Sequence, residues 1–150
     1  MPEKRTLERA RKDRREGKAA STQAGEFVRE EMHHIREGKH GARSAKQAIA
    51  IGLSKARRAG VPLKPPKKGE TSKKTRESAR RAAAAGKSRK RPSAARSRAT
   101  REALRHEGRS AASHRALSRQ AHKAASRRTR SDRSAAARKA ARTRAAHRAH

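Results

Sequence analysis

Large apolar side chains are scarce in this chain, and their distribution constrains its fold more than any other feature. Leu, Ile, Val, Met and Phe together number 13 among 150 residues, and eleven of them lie at or before Leu63. Burial of such side chains is the main compensation for the conformational entropy that folding costs. The sequence therefore argues against a compact globule that includes every residue, and it places the apolar material for a core before Leu63.

Charge is distributed in the opposite way. The chain has 45 Lys and Arg against 13 Asp and Glu, a formal net charge of +32. Residues 1–66 carry a net +9 and residues 67–150 a net +23. Low hydrophobicity with high net charge is typical of chains that stay largely disordered until a partner neutralises them. A charge of this size on a short chain points first to nucleic acid as that partner.

Several functional classes are disfavoured by what the sequence lacks. It contains no cysteine, so disulfides, thiolate metal sites and cysteine nucleophiles are excluded. Its apolar runs are far shorter than the roughly 18 residues of a membrane span, so no membrane association is expected. The first residues lack the apolar region of a secretory signal. We therefore expect a cytoplasmic protein. Because its charge points to nucleic acid as the partner, we expect it to be associated with the nucleoid.

The composition changes at a proline-rich stretch, VPLKPPKKG, which marks a stiff connector. The sequence predicts an all-α protein, in which a small helical hairpin module precedes a low-complexity basic tail. We expect the tail to be disordered when free and helix-prone when bound. The predicted segments are a charged N-terminal helix at 1–20, the hairpin module at 21–63, a Pro/Lys linker at 64–69 and a basic tail rich in Ala, Arg, Lys and Ser at 70–150.

Three helices are predicted before the linker. The first runs from an N-cap at Thr6 to Glu16. The second follows Ser21 and ends at Gly38. Its apolar residues have the three-and-four spacing of one buried stripe, formed by Ala24, Phe27, Val28, Met32 and Ile35.

The third predicted helix has the clearest boundaries. Ser44 and Gln47 match a capping box, and Gly60 suits a left-handed C-cap. The buried stripe predicted for this helix contains Ala45, Ala48, Ile49, Gly52, Leu53 and Ala56. The short connection at 38–43 favours a hairpin in which the two stripes face each other. Such a thin core leaves a stabilising role for a homodimer through residues 21–63 or for bound nucleic acid.

The tail favours helix by composition and opposes it by charge. Residues 67–150 contain 23 Ala and 28 Lys or Arg, with only five acids. Ala and Arg are strong helix formers, whereas Gly86, Pro92 and Gly108 interrupt the pattern. Helices are predicted near residues 72–85, 93–107, 110–128 and 131–146. Repulsion among the cations predicts coil in free solution and helix on a polyanion.

Basic residues of the third helix and the tail are the predicted nucleic-acid contacts. Arg outnumbers Lys by 20 to 8 in residues 67–150, which favours forked contacts to phosphate. The predicted contact residues are Arg43, Lys46, Lys55, Arg57, Arg58, Lys67, Lys68, Lys73, Lys74, Arg80, Arg81, Arg89, Lys90, Arg91, Arg96, Arg98, Arg127, Arg128, Arg130, Arg138, Lys139, Arg142 and Arg144.

The type of nucleic acid is suggested by the near absence of aromatic residues. Proteins that bind single strands stack bases on Phe, Tyr or Trp, and this chain has only Phe27. Phe27 also belongs to the apolar stripe, so we expect it in the core. The leading hypothesis is sequence-independent binding and compaction of duplex DNA. The alternative is a basic accessory protein that binds the ribosome or another structured RNA.

One histidine cluster invites comparison with metal sites. His33 and Glu37 lie one helical turn apart and would need His40 to fold back, whereas His34 is expected to point elsewhere. We favour the simpler interpretation that these are polar residues on an exposed helix face, without metal or other cofactor. The acids of the second helix are expected to pair with Arg29, Arg36 and the basic third helix. The sequence has no phosphate-binding loop or nucleophile–base set, so we expect no enzyme.

Two resemblances add to this interpretation. Residues 21–31 (STQAGEFVREE) and 40–61 (HGARSAKQAIAIGLSKARRAGV) resemble a family of small basic bacterial proteins labelled as a domain of unknown function, and the likeness extends over residues 1–86. It implies a bacterial origin and no defined activity. Residues 67–150 are similar in composition to the tails of histone H1 and of bacterial H1-like proteins. They differ in being rich in Arg and poor in Pro.

Overall fold

The computed structural model describes residues 2–88 and 93–148, and their elements are helical. The all-α prediction is confirmed. No helix in this part of the chain is long and apolar enough to cross a membrane. The elements are α1 (Lys4–Arg15), α2 (Ala20–Arg36), α3 (Ala45–Arg58), α4 (Lys73–Ser88), α5 (Ala94–Arg105), a 3₁₀ turn (Ser110–Ala112), α6 (His114–Ser126) and α7 (Arg130–Arg148).

The chain divides into two compact units, Met1–Ser113 and His114–His150. The first contains α1 to α5 and the 3₁₀ turn, and the second contains α6 and α7. In the first unit α2 packs against α1 and α3, and α4 packs on α3. This unit therefore contains residues from both sides of the proline-rich stretch.

The predicted hairpin of α2 and α3 is present, and its core is small. Phe27 is fully buried, as predicted. It belongs to a cluster with Ala10 of α1, Ala24 of α2 and Ala56 of α3. Partly buried side chains complete this cluster, namely Leu7, Leu53, Val61 and Leu63. Because alanine contributes little area, the helices have to approach closely to bury it.

Gly52 makes that approach feasible between α2 and α3. A Cβ atom at this position would lie 2.7 Å from the Cα atom of Val28 and 3.0 Å from its Cγ2 atom. No other residue type leaves this space, so the glycine in the predicted stripe brings the two backbones together.

The ends of α3 agree with their sequence signals. The Ser44 hydroxyl accepts a hydrogen bond from the Gln47 backbone N–H at 3.2 Å. The Gln47 side chain accepts from the backbone N–H of Arg43 at 2.7 Å, one residue before the position that a capping box uses. Gly60 has φ of 89° and follows the C-cap residue Ala59. By contrast, α1 begins at Lys4 rather than after Thr6, which is buried within the helix.

Two segments from beyond the linker pack on the hairpin. α4 continues through Gly86, where the helix was predicted to break, because the missing side chain accommodates the carbonyl oxygen of Arg57. The loop after α2 binds the end of α5, since the Gly41 N–H donates to the Leu104 carbonyl at 2.8 Å. Ala112 of the 3₁₀ turn is buried and its carbonyl accepts from Arg36 Nε at 2.9 Å.

Candidate nucleic-acid interface

The acidic residues of α2 face the interior of the first unit. Glu31 is fully buried, Glu30 is nearly so, and Glu26 is half-buried. Glu26 pairs with Arg9 of α1 at 3.4 Å and with Arg29 at 3.7 Å. Arg29 was among the residues predicted to pair with the acids of this helix. These contacts withdraw negative charge from the surface and use it to join helices.

Lys55 was predicted to contact phosphate, and the structure places it elsewhere. Its ammonium lies 2.6 Å from Glu31 Oε2 and 3.7 Å from Glu30 Oε1. A buried carboxylate without a cation is strongly destabilising, so Lys55 is held between α3 and α2. This correction agrees with the expectation that acids of the second helix pair with the third.

Arg57 also departs from the prediction. It is only 8% exposed, and its guanidinium donates to the carbonyl oxygen of Lys64 at 3.4 Å. Burial lowers the pKa of Arg57 below its ordinary value, because a charged group loses hydration there. With so small an exposed area, Arg57 has little surface to offer a phosphate.

Most of the predicted contact residues are exposed. Arg89, Lys90 and Arg91 lie outside the described residues. The predicted residues that the structure exposes are Arg43, Lys46, Arg58, Lys67, Lys68, Lys73, Lys74, Arg80, Arg81, Arg96, Arg98, Arg127, Arg128, Arg130, Arg138, Lys139, Arg142 and Arg144.

The structure adds a basic face that sequence reasoning left out. α1 has exposed cations at Lys4, Arg5, Arg11, Arg14 and Arg15. The sequence already indicated this face, because a helix whose only large apolar residue is Leu7 must expose most of its side chains to solvent.

Acids and bases are exposed to very different extents. Five of the 13 acids are buried or half-buried: Asp13, Glu26, Glu30, Glu31 and Glu107. Among the described lysines and arginines, only Lys55, Arg57 and Arg76 are not exposed. Folding therefore makes the surface more basic than the composition alone.

Some surface acids are also engaged with bases. Hydrogen bonds from His34 and then Lys39 lower the pKa of Glu3. A hydrogen bond from Lys18 lowers the pKa of Glu16. The same Lys18 lies 2.8 Å from Asp13, and its hydrogen bonds to Asp13 and Glu16 raise the pKa of the ammonium. Glu3 and Glu16 therefore remain ionised at neutral pH, and neighbouring bases partly compensate their charge.

The histidine cluster differs from its prediction. His33 and Glu37 are exposed, as expected, and Glu37 pairs with Lys39 at 3.0 Å. His34 points away from His33 and Glu37, as expected, and its Nε2 lies 2.8 Å from Glu3 Oε1. His34 and His40 are largely covered rather than on an exposed face, and His40 Nε2 lies 3.1 Å from Glu31 Oε1. Arg36 was expected to pair with an acid and binds the Ala112 carbonyl instead.

Comparison with known proteins supports one resemblance. Residues 17–69 match a family of unknown function (DUF6496). The matched segment covers α2, α3 and the proline-rich stretch, and it falls within the predicted range of 1–86. Comparison with curated proteins and with solved structures gave no match.

Proposed function

We propose that this protein binds duplex DNA without sequence preference and compacts it as a cytoplasmic, nucleoid-associated protein. The observation that carries the proposal is the unequal exposure of charge, since the fold buries or half-buries five of the 13 acids and leaves nearly every described cation in solvent. DNA presents one negative charge per ~1.7 Å of helix axis, and binding of cations releases condensed counterions. A surface of this kind suits contact with phosphates rather than with base edges.

The second unit is strongly basic and contains a single acid. α7 has seven Lys or Arg and one acid, Asp132, over 19 residues. Every α7 side chain that the structure describes is exposed. Most of these cations are arginines, whose planar fork binds phosphate oxygens in pairs. We infer that this unit loses helix when free and regains it on DNA, where phosphate removes the repulsion between cations.

The first unit has a different role in this proposal. Its paired interior makes it a folded platform, and its exposed basic residues on α1, α3 and α4 add phosphate contacts. A platform joined to a basic arm allows one molecule to contact two duplexes, which is what compaction requires. Positioning or dimerisation through residues 21–63 would strengthen that bridging.

Salt dependence of binding tests the mechanism. If about ten cations contact phosphate together, the slope of log K against log salt is about −9 on duplex DNA. Replacing Arg138, Arg142 and Arg144 by Gln should bring the slope close to about −6, because ~0.9 counterion is released per contact. Fluorescence anisotropy with a labelled duplex at several salt concentrations measures both values.

Matched controls separate charge from geometry and DNA from RNA. The triple Arg→Lys variant at positions 138, 142 and 144 should keep the slope and bind a few-fold more weakly, since it keeps the charge and loses the fork. Scrambling the duplex should change affinity several-fold at most, well below the thousandfold or more of specific readout. A slope of about −2, or strong discrimination between duplexes of equal length, contradicts the proposal. Preference for a folded RNA over DNA in competition supports the RNA alternative.

A further inference from the structure

Glu31, His34 and His40 converge although only two of them belong to the same helix. Glu31 and His34 are three residues apart on α2, which places them on one face, and His40 follows in the loop before α3. One ligand atom from each side chain lies within 4.8 Å of the other two. Glu31 is fully buried, and both histidine side chains are largely covered, with 13% and 12% exposed.

The carboxylate of Glu31 lacks ordinary hydrogen bonds. Both of its oxygens are buried, and neither has a hydrogen-bond partner of normal geometry. Oε2 faces the Lys55 ammonium at 2.6 Å, and Oε1 faces His40 Nε2 at 3.1 Å. A buried carboxylate shares one negative charge between its two oxygens and needs a cation or hydrogen-bond donors around it. Lys55 faces Oε2, whereas Oε1 faces the His40 imidazole.

The other nitrogen of His40 determines what its ring can offer Glu31. His40 Nδ1 lies 3.0 Å from the carbonyl oxygen of Gly41, and a carbonyl only accepts hydrogen bonds. Nδ1 therefore donates to this carbonyl, and Nε2 is the ring nitrogen that faces Oε1. So close an approach of an imidazole nitrogen to a carboxylate oxygen requires a cation between them, either a proton or a metal ion. A histidine whose second nitrogen donates to a backbone carbonyl is the usual arrangement at metal sites.

His34 is oriented by a carboxylate in a comparable way. Its Nε2 atom lies 2.8 Å from Glu3 Oε1. Two further carboxylates, Glu3 and Glu30, lie beside the cluster, where Lys39 pairs with Glu3 and Lys55 with Glu30.

We propose that Glu31, His34 and His40 bind a divalent transition-metal ion of the zinc type. Two imidazoles and one carboxylate form a known zinc ligand set, with water in the fourth position. Ligand atoms on one tetrahedral zinc are about 3.3 Å apart, given bonds of ~2.0–2.1 Å, so the Glu31–His40 distance already suits it. The ion would join the end of α2 to the loop through Gly41, which holds α5 in place.

Calorimetric titration of the full-length protein with ZnCl2, and with MgCl2 in parallel, tests this site. Zinc should bind with one site of highest affinity, and magnesium should not compete for it. His40→Ala should weaken that site about tenfold or more. The matched control is His33→Ala, which removes an exposed neighbour of His34 and should leave the zinc affinity unchanged.

A second measurement keeps the proposal falsifiable if His40→Ala is poorly folded. In the unmodified protein, zinc should shift the imidazole NMR signals of His34 and His40 and leave that of His33 in place, and EDTA should reverse the shifts. Zinc should also raise the Tm of the wild type and of His33→Ala. Equal binding by wild type and a folded His40→Ala overturns the proposal. Shifts of the His33 signal alone, or no zinc binding, also overturn the proposal. In those cases the cluster is an ion pair between His40 and Glu31.

Discussion

α3 and α7 are both basic helices rich in alanine, yet they have opposite surroundings. In α3 the small residues recur at helical spacing and bury one face, which contains Ala45, Ala48, Gly52 and Ala56. In α7 alanines come in runs around the helix, and every described side chain is exposed. Alanine content therefore favours helix in both, but only spacing that matches a partner face turns it into packing. α3 is stabilised by tertiary contacts, whereas α7 depends on helix propensity and on contacts within its own helix.

The acids of the two regions differ in the same way. In the first unit, Glu30 and Glu31 bind Lys55 across the hairpin. In α7, Asp132 accepts hydrogen bonds from the backbone N–H and the hydroxyl of Thr129, at 3.3 and 2.7 Å, and so caps the start of its own helix. Negative charge joins helices in one region and starts a helix in the other. The other charges of α7 remain available to a polyanion.

The largest expected effect concerns the separated regions. We expect residues 114–150 alone to be mostly coil in dilute buffer, because cation repulsion is unopposed by packing, and to gain helix when duplex DNA is added. Residues 1–113 should be helical without DNA and change little on its addition. Far-ultraviolet circular dichroism of both fragments measures this. Full helicity of 114–150 without DNA, or coil with it, would remove the distinction between the two regions.

Placing a charge in each helix tests the same contrast at single residues. Leu53 packs against the Phe27 cluster, so Leu53→Asp should cost about 3 kcal/mol through lost burial and an unpaired charge. Ala137→Asp in α7 is the control, and since this position is exposed it should change stability by less than about 0.5 kcal/mol. Thermal and urea unfolding followed by circular dichroism measures both. An unchanged helical signal and stability in Leu53→Asp would show that α3 has no core face.

Features that depend on residues close together in the sequence were predicted correctly. The stripe around Phe27, the Ser44 cap and the four tail helices depend on residues a few positions apart, so spacing and capping chemistry predict them. Helix boundaries were less accurate. α1 starts at Lys4 because Glu3 is its N-cap residue. The backbone carbonyl of Glu3 accepts from the N–H groups of Thr6 and Leu7, and no side chain caps the helix.

Contacts between distant residues could not be predicted in this way. Lys55 belongs to a basic run that looks solvent-facing, and only the position of α2 shows that Glu31 needs it. Packing of α4 on α3 has no periodic signal in a tail of uniform composition. The meeting of His40 with Glu31 depends on a loop conformation, whereas helical spacing favoured His33 and Glu37.

The smallest expected effect uses two helical glycines to test whether α4 belongs with α3. A Cβ atom at Gly86 would collide with the carbonyl oxygen of Arg57, a backbone atom that cannot turn aside. Gly86→Ala should therefore destabilise the first unit by about 1–2 kcal/mol, as overpacking does. Gly25 in α2 is the matched control, because a Cβ atom there would have no neighbour within 4 Å and alanine is the better helix former. Gly25→Ala should stabilise by roughly 0.5–1 kcal/mol. Urea unfolding of the full-length protein gives both values. If Gly86→Ala also raises the free energy of unfolding, α4 does not pack on α3. Its helix then depends, like α7, on helix propensity and on contacts within the helix.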